Sequence, residues 1–406
     1  MKFRVERDVL GEAVSWVARA LPTRPVVPVL SGLLVHAGED GLTLSCFDYE
    51  VSARAVIPAE VGEPGTALVP GRLLAEIIKS LPPEPVEVAS AADMITLTCG
   101  SAEFALVSLA FEDYPKLPEL PEIAGTVDGG ALATAAAQVV PSSSRDDTLP
   151  MLTGVNLDFD GDTITLAATD RYRLAVRRIT WEPADPGLQA AALVPARTLA
   201  DMARTMGPGV PVTIAFSGPA QGEPVSGVTR PADGMISFEG AGRRLTARLI
   251  GGEFLKYEAR FPAEFGHCAE LPAGAVTDAV RRVSLVADRA TPVQLTFRDA
   301  TAVIEARSDG RARAVESVPV RYSGADQVIS FNPHYLLDGL AAATMCAHVQ
   351  DVAEPGGASA GRIRLEFTSP AKPALITWAG APDDDSEAAP AAFRYLVVPQ
   401  RAPAAS

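Results

Sequence analysis

Leu68-Val69-Pro70-Gly71-Arg72-Leu73-Leu74-Ala75-Glu76-Ile77-Ile78-Lys79 returns, altered but in step, as Leu193-Val194-Pro195-Ala196-Arg197-Thr198-Leu199-Ala200-Asp201-Met202-Ala203-Arg204. It returns again, more faintly, as Ser330-Phe331-Asn332-Pro333-His334-Tyr335-Leu336-Leu337-Asp338-Gly339-Leu340. Each copy reads as a short apolar strand that runs into an amphipathic helix, with Pro or Asn where the chain turns into the first helical residues. In the first copy Leu73, Leu74, Ile77, Ile78 and Leu81 recur at the spacing of one helix face.

A second pattern keeps the same period. Thr43 to Asp48 (TLSCFD), Thr165 to Asp170 (TLAATD) and Ile304 to Asp309 (IEARSD) each alternate like a half-buried strand after a turn. Asp48, Asp170 and Asp309 lie 122 and 139 residues apart, while Pro70, Pro195 and Asn332 lie 125 and 137 apart. Two markers in phase over three units read as one domain in tandem rather than as chance matches between common patterns. A further helix is expected to open each unit, near 8 to 20, 129 to 140 and 273 to 287, and hairpins such as Met94 to Leu109 and Met235 to Leu249 fill its second half. The fold class is therefore α+β, with two helices and about eight antiparallel strands in each of three domains, at 1–121, 127–262 and 269–401. PKLPELPE at 115–122 and the segment around Phe261, Pro262 and Leu271-Pro272 read as linkers. The loops at 216–234 and 353–361, the acidic run Asp383 to Glu387 and the end Ala402 to Ser406 read as surface segments.

With 406 residues, 48% of them hydrophobic and 21% charged, the chain has material for several cores. MKFRVERDVL has no apolar run behind its basic residues, and no later stretch approaches the roughly 20 apolar residues that span a bilayer, which points to a cytoplasmic protein. Cys46, Cys99, Cys268 and Cys346 are scattered without a CxxC pair and read as reduced, buried thiols. His36, His267, His334 and His348 have no metal-ligand spacing. No GxGxxG follows a strand, and neither GxxxxGK[ST] nor GxSxG occurs; Gly240 to Arg243 reads as a strand hairpin. Asp146-Asp147 and Asp383-Asp384-Asp385 sit among loop residues and read as solvated surface. Neither a cofactor nor a metal is called for, and an enzyme is the poorer hypothesis.

The net charge of −15 argues against a protein coated in basic patches, but only if charge is evenly spread. Arg72, Lys79, Arg197, Arg204, Arg281 and Arg282 fall on amphipathic helices away from the apolar stripe, and Arg24 lies in the loop after the first helix. Brought to one side, such residues would meet phosphates without reading bases. The plainer alternative is that helix surfaces simply carry Arg and Lys.

Thr169-Asp170-Arg171-Tyr172-Arg173-Leu174-Ala175-Val176, preceded by Arg145-Asp146-Asp147-Thr148-Leu149-Pro150-Met151-Leu152-Thr153-Gly154-Val155, resembles the central domain of the bacterial sliding DNA clamp, the β subunit of DNA polymerase III. Phe331-Asn332-Pro333-His334-Tyr335-Leu336 and Tyr395-Leu396-Val397-Val398-Pro399-Gln400-Arg401 resemble its third domain. The resemblance covers essentially the whole chain and is strongest to the actinobacterial type. It implies a head-to-tail homodimer in which helices line a ring around duplex DNA and sheets form the outside, with no catalysis of its own. By the same resemblance the edge strand with Phe104 and Leu106 joins the third domain near Leu285 and Val286.

The resemblance further implies a groove between the second and third domains for peptide motifs of polymerase, clamp loader and repair proteins. Carried over by position, its wall takes Leu152, Thr169, Arg171, Leu174, Leu255, Arg260, Asn332, Tyr335, Pro373, Leu396, Val397, Val398, Pro399 and Arg401. Three positions depart from the family pattern, which has Pro at Leu255, a small or medium apolar residue at Arg260 and Met at Val398. An Arg at the pocket floor is expected to snorkel outward. These departures suggest a divergent second copy with an altered pocket, for which tolerance of a pocket-binding antibiotic is one reason and neutral drift another. The alternative function is a three-domain peptide-binding scaffold that does not encircle DNA.

Overall fold

The computed structural model describes residues 1–91, 93–217, 234–287, 291–308, 311–350, 361–380 and 392–401, and of 347–350 the backbone alone. Asp309, the acidic run at 383–387, most of the loops at 216–234 and 353–361, the His348 side chain and the end at 402–406 lie outside the described residues.

The elements recur in one order three times. The first round is β1 (Lys2–Val5), α1 (Arg7–Ala18), β2 (Gly32–Gly38), β3 (Gly41–Phe47), β4 (Val51–Ile57), β5 (Glu60–Glu63), β6 (Gly65–Pro70), α2 (Gly71–Ser80), β7 (Val86–Ala91), β8 (Met94–Cys99) and β9 (Ala102–Val107). The second is β10 (Ile123–Asp128), α3 (Gly129–Val139), β11 (Gly154–Asp160), β12 (Thr163–Thr169), β13 (Arg173–Thr180), β14 (Glu182–Pro183), β15 (Gln189–Pro195), α4 (Ala196–Ala203), β16 (Pro211–Ser217), β17 (Met235–Gly240) and β18 (Arg243–Arg248). The third is β19 (His267–Pro272), α5 (Ala273–Val283), β20 (Val293–Arg298), β21 (Thr301–Ser308), β22 (Ala312–Pro319), β23 (Arg321–Ser323), β24 (Gln327–Phe331), α6 (Pro333–Gln350), β25 (Arg362–Phe367), β26 (Ala374–Trp378) and β27 (Phe393–Val397). Each round thus holds two helices and nine strands among the described residues, one strand more than expected because short edge pieces such as β14 carry too few residues to show alternation.

Compactness divides the chain differently from repetition. One unit comprises Met1–Gly130, Trp181–Leu188 and Asp201–Gly251; the other comprises Ala131–Thr180, Gln189–Ala200 and Gly252–Ser406. The cause is sheet pairing. In the first unit a nine-stranded sheet runs β14-β10-β16-β17-β18-β4-β3-β2-β6, so strands of two successive rounds share one ladder through β18 and β4. A five-stranded sheet, β5-β1-β7-β8-β9, completes that unit. In the second unit β13 and β27 join in the same way within β15-β11-β12-β13-β27-β26-β25-β19-β23, beside a four-stranded sheet β22-β21-β20-β24.

Helix pairs close these layers by side-chain packing: α1 on α2 in the first unit and α5 on α6 in the second. On α2 the residues Leu74, Ile77 and Ile78 are buried and Arg72 and Lys79 exposed, the division that an amphipathic stripe predicts. Leu73, expected in that stripe, is 46% exposed because it falls at its margin. Leu271 and Pro272 are not linker. They pair with Ile363 and Arg362 in β19, and Pro272 caps α5. Gly240 to Arg243 does form a hairpin, with Ala241 and Gly242 both at positive φ in its two-residue turn. Of the four cysteines only Cys46 and Cys99 are buried; Cys268 and Cys346 are half-buried. No helix among the described residues is long and apolar enough to cross a membrane.

Candidate functional site

The β12–β13 corner is built from five consecutive residues. The Thr169 hydroxyl donates to the Arg173 carbonyl at 2.6 Å and accepts from the Arg171 N–H at 3.1 Å. Asp170 Oδ1 accepts from the backbone N–H groups of Tyr172 and Arg173 at 3.0 and 3.1 Å, a side chain standing in for a turn carbonyl. This arrangement holds Arg171 at φ +80, a left-handed conformation that a non-glycine residue adopts only when its surroundings impose it.

The corner aims Arg173 at α6. Its Nε donates to Asp170 Oδ2 at 2.9 Å, its Nη1 to Asp338 and its Nη2 to the Pro141 carbonyl, and the guanidinium stands 4.5 Å from the centroid of the Tyr335 ring. Burial works against that charge, but Tyr395, Asp338 and Asp170 more than offset it and raise the Arg173 pKa above its ordinary value. Tyr172 stacks on Tyr335 with centroids 6.2 Å apart. Burial raises the Tyr335 phenol, and the Asp170 carboxylate adds to it.

Asn332 explains why the third repeat has Asn where the others have Pro. Its Oδ1 accepts from the His334 N–H at 2.9 Å, an N-cap that starts α6. Gly339 lets α6 lie against β27, since a Cβ there would stand 2.5 Å from the Tyr395 ring. The Tyr395 hydroxyl then donates to the Tyr335 carbonyl at 2.7 Å.

A cavity of 1290 Å³ opens in front of this cluster. Of the residues expected in the peptide wall it is lined by Arg171 and Tyr335, joined by Tyr172, Arg173, Asp338 and the loop Ser143 to Asp147. Asp146 and Asp147 are exposed, as read from the sequence, and hydrogen bonds from Thr148 hold the Asp146 carboxyl below its usual range. Arg197, read as a DNA contact, lines the same cavity. The sequence reading missed Arg173, Tyr172 and Asp338 as site residues. Tyr335 and Asp338, three apart on one helix face, were the available signal.

Strand register gathers another part of the expected wall. Thr169 pairs with Leu174, Leu174 with Leu396, and Val397 with both Arg173 and Ala374 beside Pro373. The Val398 N–H donates to the Tyr172 carbonyl at 2.8 Å, which sets Pro399 next to the corner; Arg401 is exposed. Leu152, Thr169, Leu174 and Leu396 are buried, and Val397 is wholly so at 0% exposure, which leaves its side chain in the core. Leu255 is half-buried and Arg260 exposed, and neither lines the cavity. Arg260 closes a short turn with Glu258, which pairs with Arg394 at 3.2 Å and Arg178 at 3.7 Å. Arg178 lies on β13 beyond Arg173, roughly 17 Å along the strand at about 3.4 Å per residue.

The basic positions Arg24, Arg72, Lys79, Arg197, Arg204, Arg281 and Arg282 are all exposed. Arg204 pairs with Asp201 at 2.8 Å, Arg281 with Asp278 at 3.2 Å and Arg282 with Glu316 at 2.6 Å. Arg72 donates to the Leu21 carbonyl at 3.1 Å, which ties α2 to the loop that carries Arg24. The strand with Phe104 and Leu106 is β9, an edge strand. Leu106 faces its own core at 5% exposure and Phe104 is half-buried, so what the edge offers is backbone and Val107, 62% exposed. Leu285 is 83% exposed and Val286 half-buried in a short turn that touches β22, the edge of the four-stranded sheet. Among the described residues no cluster of three or more His, Cys, Asp or Glu could hold a metal ion.

Comparison with known proteins agrees with this architecture. Residues 1–118, 126–256 and 259–350 match the N-terminal, central and C-terminal domains of the DNA polymerase III beta subunit. The beta sliding clamp of Streptomyces coelicolor is 48% identical over 401 residues, 99% of each chain. The beta sliding clamp homolog GriR of Streptomyces muensis is 40% identical over 401 residues, again 99% of each. The crystal structure of a sliding clamp from Pseudomonas aeruginosa bound to griselimycin superposes with a TM-score of 0.81 at 24% identity, covering 99% of each chain, which speaks for the fold alone. The chain therefore belongs to the beta sliding clamp family, the non-catalytic processivity factor of DNA polymerase III, and to its actinobacterial type.

Proposed function

We propose that two copies close head to tail into a ring around duplex DNA, each with clamp domains at 1–121, 127–262 and 269–401, and that the ring tethers the polymerase catalytic subunit, clamp loader and repair proteins. The observation that carries this reading is a pair of open sheet edges, β9 in the first round of elements and β22 in the third. An unpaired edge is a liability in a soluble protein, and a heterologous contact between the two would remove both. Val107 on one edge and Leu285 beside the other supply apolar surface for such a contact, with Phe104, Leu106 and Val286 behind them. Arg24, Arg72, Lys79, Arg197, Arg204, Arg281 and Arg282 would meet phosphates of the enclosed duplex, and the existing pairs of three of them keep those contacts weak enough to slide.

The cavity at the β12–β13 corner supports a peptide anchor in which Tyr172 and Tyr335 offer aromatic faces and Arg171 a cation. Thr169, Leu174 and Leu396 would floor that groove with Val397 packed in the core behind them, while Leu152, Asn332, Pro373, Val398, Pro399 and Arg401 would extend it. Light scattering on the purified chain should give twice the monomer mass, and the loaded protein should stay on circular DNA and slip from linear DNA. A monomer that never loads would overturn the ring. Reversing Arg24, Arg72 and Arg197 to Glu should abolish retention; unchanged function would favour the scaffold that does not encircle DNA.

Antibiotic tolerance is the second reading. It rests on the departures at Leu255, Arg260 and Val398 and on similarity to GriR, although identity to the Streptomyces coelicolor clamp is higher, 48% against 40%. Titration with griselimycin decides it: affinity equal to that of the Streptomyces coelicolor clamp would rule it out.

A further inference from the structure

The first helix of each round repeats one burial pattern. Counted from the first residues of α1, α3 and α5, the fourth, seventh, eighth and eleventh positions are buried in all three, beginning with Leu10, Leu132 and Val276 and ending with Val17, Val139 and Val283. The tenth position breaks the pattern once. Trp16 is 6% exposed and Gln138 1%, whereas Arg282 stands in solvent with its side chain 58% exposed.

The tenth residue reaches the second helix of the following round, and it does so at the same place each time. Trp16 Nε1 donates to Thr205 Oγ1 at 2.7 Å, and Gln138 Nε2 donates to the Ala342 carbonyl at 2.8 Å. Thr205 and Ala342 are each the tenth residue from the start of α4 and α6. In α2 that position is Ser80, exposed where Thr205 is half-buried and Ala342 buried. The strands follow the same rule. β4 and β13, third after the first helix of their rounds, pair with β18 and β27, the last strands of the rounds that follow. The counterparts left at sheet edges are β22 and β9. Donor and acceptor positions thus lie uncovered only where the repeat has no successor and no predecessor in its own chain.

We propose that Arg282 of one copy donates to the Ser80 hydroxyl of a second copy, the third and ring-closing instance of this helix-to-helix link. It rests on the head-to-tail ring proposed above and gives that seam a polar lock beside its strand edges. Nε and Nη2 of Arg282 are occupied by Glu316 at 3.0 and 2.6 Å, which leaves Nη1 for an acceptor. The Ser80 hydroxyl donates to the Ile77 carbonyl at 2.7 Å, as that of Thr205 does to the Asp201 carbonyl at 3.0 Å, so each oxygen keeps a lone pair with which to accept. Adjacent Arg281 has no such role, because its counterparts Ser15 and Ala137 are exposed in rounds whose junctions are closed. Of the seven basic positions, Arg282 therefore adds least to the phosphate contacts.

Mixing donor-labelled and acceptor-labelled full-length protein and following energy transfer reads how fast the seam opens. Arg282→Ala should speed subunit exchange at least ~10-fold, while Arg281→Ala leaves the exchange rate at the wild-type value. Ser80→Asp sets a carboxylate opposite the guanidinium and should slow exchange several-fold, a gain that disappears when it is combined with Arg282→Ala. Local damage by a substitution only loosens a seam, so the slowing and its loss in the double variant carry the assignment even if Arg282→Ala disturbs its own helix. Exchange unchanged by Arg282→Ala, or slowing by Ser80→Asp that survives the loss of Arg282, overturns the link and leaves the ring standing. A wild-type chain that light scattering finds monomeric overturns the ring, and the link with it.

Discussion

The corner at Asp48 to Val51 and the corner at Asp170 to Arg173 are the same turn put to different uses. In both, the aspartate Oδ1 accepts from the backbone N–H groups two and three residues on, and the next residue sits at positive φ, Tyr49 at +74 and Arg171 at +80. The position that differs most is the last. Val51 simply begins β4, whereas Arg173 reaches from β13 to Asp338, the Pro141 carbonyl and the face of Tyr335. One substitution of type turns a structural corner into the organising cation of a cavity. A repeat can keep its backbone and acquire a site through the side chain that the backbone already aims.

Removing that side chain should have the largest effect. Arg173→Met leaves Asp170 and Asp338 without their cation, and breaking such a buried pair costs about 2–3 kcal/mol after discounting for the half-exposed Asp338. Urea unfolding reads that loss, and titration with a clamp-binding peptide should show at least ~10-fold weaker binding. Val51→Ala should cost about 1 kcal/mol and leave peptide affinity unchanged. If Arg173→Met unfolds like the wild type, the two corners do not differ as described.

The aspartates sharpen the contrast. Asp48→Ala and Asp170→Ala each remove two turn hydrogen bonds, worth about 1 kcal/mol net, and Asp170→Ala also strips Arg173 of a partner, for about 2 kcal/mol in all. Asparagine keeps the acceptor oxygen. It should restore full stability at position 48 and only part of it at 170, and equal rescue at both would mean that the Asp170–Arg173 pair contributes nothing. Tyr172→Ala comes next in size. Loss of its stacking on Tyr335 is worth about 1 kcal/mol, a several-fold weaker peptide, whereas Tyr49→Ala should leave binding untouched.

The period of the chain was legible because it rests on local rules: Pro or Asn at a helix start, an aspartate that closes a turn, alternation along a strand. The joining of β4 to β18 and of β13 to β27 was not, since strand pairing between rounds leaves no local mark in either strand. The same limit explains the site. Thr169, Leu174 and Leu396 could be gathered by resemblance, but whether each is wall or floor depends on register, and register buries all three. Arg173 escaped notice because its importance comes from α6, 165 residues further on at Asp338. Arg260, expected to snorkel outward, is exposed, and its turn is held to the far reach of β13 and β27 through Glu258.

The smallest effect tests whether the shared turn is independent of its use. A left-handed conformation costs a non-glycine residue about 1–2 kcal/mol, and glycine gives back about 0.5–1 kcal/mol of that through the unfolded chain. Tyr49→Gly and Arg171→Gly should therefore each stabilise their corner by about 0.5 kcal/mol, read as a small rise in urea midpoint. Equal gains would mean that both corners are strained by the turn alone. A gain at 49 with a loss at 171 would show that the Arg171 side chain, which lines the cavity, is held there by contacts that outweigh its backbone strain. The second corner would then differ from the first at position 171 as well as at 172 and 173.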